Sequence, residues 1–319
     1  MTDHTPQAPP LFTVIIPVYN RAQLVLRAIK SVLDDPAADV EVIVVDDAST
    51  DDTADHVDRL QDPRLQLIRL AVNGGRCPAR NTGARAGRGE WLIFLDSDDE
   101  LAPGALEAVR ERVQNATDSI GKLLFACRYD SGLISPSPAL EGQIVDYVGY
   151  LQWTESTADG MSEMMPCTRR TAFLQCPYPE QRDWQETIHE LTFVQRTLVQ
   201  LCPEVVRLYH VDALVRVMVP DAAGTLAAAQ GYAEHAEAVL AAHGKALRKY
   251  APRRWLLVTR EAALNNFFRG NRRHGIAHSF SVLRAAPANV NAWGTLIGGA
   301  IAPGLFVHIW TLRRARITS

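Results

Sequence analysis

The chain of 319 residues lacks several features that would each direct it to a different class of protein. It has five cysteines, Cys77, Cys127, Cys167, Cys176 and Cys202, and no Cys-x-x-Cys pair among them. An odd, scattered set argues against a disulfide framework and against a cysteine-based structural zinc site, and suits a reducing compartment. An excess of one charge is missing too: 33 basic against 36 acidic residues leave a net charge of -3, which gives no electrostatic footing for nucleic acid. No Gly-x-Gly-x-x-Gly follows the first apolar run and no Walker A loop occurs, so neither a dinucleotide fingerprint nor a P-loop is available. The opening MTDHTPQAPP has neither the basic start nor the apolar run of a secretory signal, and residues 1–10 read as a flexible tail.

What is present is a large apolar content, 47% of residues, sufficient for a sizeable core without staples. Four apolar runs recur at short intervals: Phe12–Val18, Val40–Val45, Leu65–Leu70 and Trp91–Leu95. The first, second and fourth are nearly continuous, as strands buried on both faces should be. Between the first two, Val25, Ala28, Ile29, Val32 and Leu33 share one face of a helix; Asp51–Leu60 and Cys77–Ala86 are shorter helical candidates. The alternation predicts an α/β protein with a mostly parallel, doubly wound sheet, whose ligands bind beyond the carboxyl ends of the strands.

The ends of those strands are polar. The first runs into Pro17-Val18-Tyr19-Asn20, the second into Asp46-Asp47-Ala48-Ser49, and the fourth, in WLIFLDSDDEL, into Asp96-Ser97-Asp98-Asp99-Glu100. Acids after a strand can be a solvated turn or a helix start, and Asp99 and Glu100 are expected to open a helix continued by Pro103. They can also hold a hard divalent cation, since Mg²⁺ takes one or two carboxylates and completes its shell with substrate phosphates. Asp-x-Asp alone does not separate the two readings.

Taken together, VIIPVYNR, VIVVDDASTDDT and NGGRCPARNTGARAGRGEWLIFLDSDD resemble the family 2 glycosyltransferases, inverting enzymes of the GT-A fold, over residues 12–115. The resemblance implies a GT-A type α/β catalytic domain over 11–222, with a nucleotide-binding half 11–115 and an acceptor half 116–222, and a helical C-terminal extension over 223–319. It implies a nucleoside-diphosphate sugar as donor, UDP or dTDP favoured. Pro17 and Tyr19 would line the base pocket with Asn20 nearby, and Asp47 would accept a pyrimidine N3–H. Arg80 and Asn81 would reach the diphosphate or the base. Asp98 would ligate Mg²⁺ or Mn²⁺, with Asp96 and Ser97 beside it near the ribose and Asp96 a second or water-mediated ligand.

Inverting transfer also needs a carboxylate to take the proton of the attacking hydroxyl. The family sets this Asp before a Trp and a helix, and in PYPEQRDWQETIHEL the match is Asp183, followed by Trp184, with Glu180 and Glu186 as fallbacks. Arg182 departs from the acid or amide the family usually has there, and an arginine contact would weaken the base. His210, on a late apolar run, reads as structural.

The C-terminal third reads as helices. Residues 290–312 carry no formal charge and are closed by Arg313, Arg314 and Arg316. Glycines and Pro303 interrupt the run, so an interfacial membrane helix over 290–316 fits better than a span, with packing on the protein itself as the other reading. An interfacial helix would place the chain in the cytoplasm, peripheral on the inner membrane face, acting on a glycan or lipid-linked saccharide of the cell envelope. Two rival functions are a sugar nucleotidyltransferase, which would want a glycine-rich first loop, and a non-catalytic sugar-nucleotide-binding subunit.

Overall fold

A computed structural model of the chain describes residues 9–35, 39–136, 141–157, 163–182, 184–210 and 222–301. The described residues of Met1–Tyr150, Thr157–Arg182 and Thr192–His210 form one compact unit; those of Leu151–Ser156, Asp183–Leu191 and Val211–Ser319 form a second.

The first unit is built on strands β1 (Phe12–Val18), β2 (Val40–Asp46), β3 (Leu65–Arg69) and β4 (Trp91–Phe94), alternating with helices α1 (Leu24–Leu33), α2 (Thr53–Asp58) and α3 (Arg76–Ala86). The short β5 (Glu100–Leu101), α4 (Ala105–Gln114), β6 (Ile120–Tyr129), β7 (Ile134–Ser135), β8 (Ile144–Val145), α5 (Tyr147–Ser156), β9 (Met164–Arg169), α6 (Arg170–Gln175), α7 (Thr187–Val194) and β10 (Leu198–Tyr209) follow, α5 and α7 passing between the units. The sheet runs β3-β2-β1-β4-β9-β6-β10-β5. β3, β2, β1 and β4 are mutually parallel, and β6 and β10 are parallel to each other. β9 lies between the two groups, antiparallel to both β4 and β6. Every residue of β1 and β4 is buried, which explains why these runs lack the alternation of a half-exposed strand, while β3 at the sheet edge has no fully buried residue.

One face of the sheet packs on α1 and α4, with Val25, Ala28, Ile29 and Val32 of α1 and Leu106 and Val109 of α4 in a core with Val14, Ile16, Val42 and Val44. The opposite face packs on α3 and α6 through Ile15, Ile43, Val45, Ala79, Ala84 and Phe173. All five cysteines are free.

One expectation fails here. Asp99 and Glu100 do not open a helix: Glu100–Leu101 is a strand paired antiparallel with β10. α4 begins at Ala105, after Gly104 in the left-handed conformation at φ 75°. The backbone N–H of Leu101 and Ala102 is taken by Ser31 and Val206, so the chain leaves β4 sideways rather than coiling.

In the second unit, α8 (Ala222–Tyr250) is followed by α9 (Pro252–Phe268), α10 (Arg272–Ala285) and α11 (Val290–Ile301). Pro252 suits the first turn of α9, where its missing N–H has no intrahelical partner to lose. The buried ring of Phe267 is the reason for two of the glycines: a Cβ at Gly275 or Gly299 would approach it to 2.8 or 2.3 Å. α11 buries Ala292, Thr295 and Gly299 and leaves Val290, Trp293, Ile297 and Ile301 exposed. No helix among the described residues is long and apolar enough to cross a membrane. Residues 302–316, the rest of the stretch read as interfacial, lie outside the described residues.

Candidate active site

A crevice at the carboxyl ends of the parallel strands begins with a backbone defect. The Leu95 N–H donates to the Ile15 carbonyl, and the next rung of a parallel ladder would need an N–H at residue 17. Pro17 has none, so β1 keeps its pairing with β2 while its ladder with β4 ends. Beyond it, Tyr19 is exposed and Asn20 turns the chain at φ 51°, a left-handed conformation that Asn tolerates. The Asn20 side chain accepts from the Thr50 N–H at 2.8 Å, tying the end of β1 to the loop after β2.

The two aspartates ending β2 divide their work. Asp46 accepts from the Ser49 N–H at 3.0 Å and shapes the loop. Asp47, 4% exposed, accepts from the Gly74 N–H at 2.8 Å and the Gly75 N–H at 2.7 Å, one on each carboxylate oxygen. Each oxygen retains a second lone pair, so the group is fixed in place and can still accept. Gly75, at φ 91°, takes a conformation that a side chain would strain.

After β4 the acids stand among arginines. Arg80 Nη2 donates to Asp96 Oδ1 at 2.6 Å. Arg21 is ion-paired with Asp98, and Arg27 donates to the Asp98 carbonyl. Arg207 of β10, 3% exposed, lies 3.8 Å from Asp96, 3.5 Å from Asp99 and 2.8 Å from Glu163. Burial works against the Asp96 charge, but the Arg80 and Arg207 guanidiniums outweigh it and hold the carboxyl below its usual range. Asp99 goes the other way: burial pushes it up to about 7 despite Arg207, and the Asp96 and Asp98 charges add to the rise. Ser97 is buried between them. His210 donates its N–H to Asp99, and its ring bridges Asp130 at 2.7 Å and Glu100 at 2.8 Å, which makes it a tie between β10 and the acidic loop.

α3 carries Arg80 and Asn81, and it sits unusually close to the sheet because a Cβ at Gly83 would come within 2.5 Å of Ile15. Asn81, 1% exposed, faces away from the acids. Its side chain donates to the Tyr178 carbonyl and to Glu180, both at 2.9 Å, and accepts from the Tyr178 N–H at 3.0 Å. Asn81 therefore clamps the segment that leads to Asp183, and Glu180 is engaged there with Arg85 at 3.1 Å as well. Asp183 itself lies outside the described residues; Glu186 belongs to the second unit.

Pro17, Tyr19, Asn20, Asp47, Arg80, Asp96, Ser97 and Asp98 are thus gathered at one end of one sheet. Four other contributors escaped sequence reasoning: Arg21, Asp99, Glu163 and Arg207. Asp99 was visible in the acidic run but assigned to a helix, and Arg207 is a lone cation inside an apolar run, with no local pattern to mark it.

The donor set fits a hard divalent cation. Asp96 and Asp98 offer carboxylate oxygens on the exposed side of the acidic loop, and one or two such ligands suffice for Mg²⁺ or Mn²⁺ when phosphates complete the shell. That Asp98 already holds a guanidinium shows the position attracts positive charge.

The chain is similar to several known proteins. The succinoglycan biosynthesis protein ExoO of Rhizobium meliloti is 44% identical over 107 residues, 34% of this chain and 31% of that protein, so the chain spans about a third of the length of the curated relatives it matches. S. aureus TarS 1-349, solved in complex with UDP-GlcNAc, superposes with a TM-score of 0.53 at 18% identity over 96% of this chain and 91% of that one. The mannosyltransferase PcManGT from Pyrobaculum calidifontis, solved with GDP-Man and Mn²⁺, gives a TM-score of 0.50 at 24% identity over 98% and 86%. These likenesses establish the GT-A fold, an α/β sheet with a helical C-terminal region. The sequence pattern of Glycosyl transferase family 2 matches residues 13–173, the whole span from the first parallel strand through β9, and by that match the chain belongs to the family 2 glycosyltransferases.

Proposed function

We propose that the protein is an inverting, metal-assisted glycosyltransferase that moves a hexose from a nucleoside-diphosphate sugar to an acceptor hydroxyl of a cell-envelope glycan or lipid-linked saccharide. The observation that carries this reading is the placing of Asp47, Asp96 and Asp98 beyond the carboxyl ends of β2 and β4, the two parallel strands that flank β1, with Arg80 beside Asp96. That is the place where such sheets bind ligands.

In this reading the base of the donor stacks beside Pro17 and Tyr19, and Asp47 accepts its N–H from a fixed position. Asp96 and Ser97 lie toward the ribose. Asp98, with Asp96, holds Mg²⁺ or Mn²⁺. When bound, the ion supplies Lewis-acid neutralisation of the leaving diphosphate. The Arg80 guanidinium adds a directed donor whose orientation is fixed by Asp96 and by α3. The acceptor oxygen attacks the anomeric carbon opposite the diphosphate, the bond from that carbon to the diphosphate oxygen breaks, and Asp183 takes the hydroxyl proton. Tyr178, in the segment before Asp183, is held by Asn81, on the same helix that carries Arg80. Arg69, paired with Asp55 and Asp58, and Arg88, paired with Glu41, are already committed elsewhere and take no part.

Incubation with nucleotide sugars, Mn²⁺ and an envelope acceptor pool should release nucleoside diphosphate. Release of pyrophosphate in a parallel incubation with a nucleoside triphosphate and a sugar 1-phosphate would instead make the protein a nucleotidyltransferase, and release of neither product a binding subunit. Asp183→Asn should cut turnover by about 10²–10⁴-fold with donor binding retained, and Asp98→Ala should abolish the metal-dependent part of donor binding in calorimetry. A fully active Asp183→Asn variant would overturn the assignment of the base.

A further inference from the structure

The second unit contains a cluster of ligating side chains that the transfer reaction does not use. His274 and His278 stand one turn apart on α10, and Glu237 faces them from α8. His274 Nδ1 lies 3.0 Å and His278 Nε2 3.7 Å from Glu237 Oε1, and the three ligating atoms all fall within 4.8 Å of one another. In a tetrahedral site with bonds of about 2.0 Å, adjacent ligands are about 3.3 Å apart. The two observed separations bracket that value.

We propose that Glu237, His274 and His278 form a binding site for a divalent transition ion of the zinc class, a clip that fastens α8 to α10.

The chemistry of the donors selects the ion. Two imidazoles and one carboxylate suit zinc and its neighbours and disfavour Mg²⁺, which wants oxygen alone. The site is therefore chemically distinct from the carboxylates at Asp96 and Asp98. Its surroundings support the ligands as well. Asn266, fully buried, donates to Glu237 Oε1 at 2.8 Å and fixes that carboxylate from behind, an outer-shell contact of the kind that orients metal ligands. Arg269 is the resident cation, 3.5 Å from Glu237 and anchored at 2.8 Å on Asn266. It balances the carboxylate at longer range than a metal bond. A single ion there would close a loop of α8, α9 and α10 across about 40 residues of chain, between Glu237 and His278.

The test is zinc alone added to the full chain in excess Mg²⁺, read by equilibrium dialysis with metal analysis and by the visible spectrum of the Co²⁺ form. One zinc per chain, a rise in melting temperature with zinc and a tetrahedral Co²⁺ band are expected. His278→Ala and the exposed His274→Ala should each weaken zinc binding by at least about tenfold, whereas Asp98→Ala should bind zinc as the wild type does. His274→Ala removes an exposed ring, so its zinc-free melting curve should match the wild type and separate lost binding from lost folding. Equal zinc content and Co²⁺ spectra in the wild type and the His274→Ala/His278→Ala double variant would overturn the proposal.

Discussion

Arg21 is ion-paired with Asp98, the carboxylate proposed above as the ligand of the donor's metal, while Arg27 takes the main-chain carbonyl of the same residue. The Arg21 backbone is itself tied down, its N–H donating to Thr53 at 2.9 Å. A divalent cation reaching Asp98 must share it with this guanidinium or displace it. The pair is partly exposed, so the competition is worth no more than about 1 kcal/mol. Arg21→Gln should therefore lower the Mn²⁺ concentration for half-maximal donor binding by about two- to fivefold. A manganese titration of donor affinity decides it; an unchanged midpoint would mean that the guanidinium and the ion do not meet.

Arg207 is the buried cation that allows three acids to share one end of the sheet. Its removal leaves Glu163 without its closest buried counter-charge, while Asp96 keeps Arg80 at 2.6 Å, and Asp99, pushed up to about 7, contributes less because it is half neutral at that pH. Breaking a fully buried pair from one side costs about 3–5 kcal/mol, but the Glu163 and Asp96 carboxylates are partly exposed, so Arg207→Met should show a loss below that range in urea unfolding. Adding Asp99→Asn to the variant should recover only a small part, and Glu163→Gln more.

His235 in the second unit is 2% exposed, with its ring edge-on to Trp184 at 5.7 Å. Burial lowers it from 6.5 to about 4, against small opposing contributions from Glu186 and Gln185. The unfolded chain binds the proton first, so the contribution of the neutral ring to stability is complete above pH 6.5 and is lost progressively as the pH falls toward 4. The full amount is about 3 kcal/mol. His235→Gln should flatten the stability profile between those two values; a slope identical to that of the wild type would place the acid sensitivity elsewhere.

The exposed stripe Val290, Trp293, Ile297 and Ile301 on α11 is the face an interfacial helix would lay on a bilayer. Flotation with anionic vesicles should recover the full chain and lose a 1–288 truncation. Equal recovery of both would remove the membrane from the account of residues 290–316.

The first parallel strands of this protein were legible because β1, β2 and β4 are buried on both faces. Phe12–Val18 is recovered to the residue, and the runs at Val40, Leu65 and Trp91 differ from the observed strands by one residue at an end. Asp47, Asp96 and Asp98 were legible for a related reason: strand ends in such a sheet are where side chains must change from apolar to polar. What remained hidden depends on contacts across the sequence. β5 pairs with β10 more than 100 residues away, so nothing around Asp99 could distinguish a strand from a helix start. Asn81 carried the right motif, yet its amide is spent on Tyr178 and Glu180, 97 and 99 residues on. The pairing of Glu237 with His274 and His278 was invisible for the same reason, since only the packing of α8 and α10 against α9 brings them together.

The absent donor at Pro17 has a further implication for how such a protein can change. A cleft opened by side chains closes when those side chains mutate, but a parting of two strands caused by the chain itself does not. Substitutions around Tyr19, Ser97 or the loop after β2 can therefore alter which sugar nucleotide is preferred without losing the place where one is held. Diversification of specificity should accumulate in those walls, while replacement of Pro17 by a residue able to extend the ladder would narrow the opening for every donor at once.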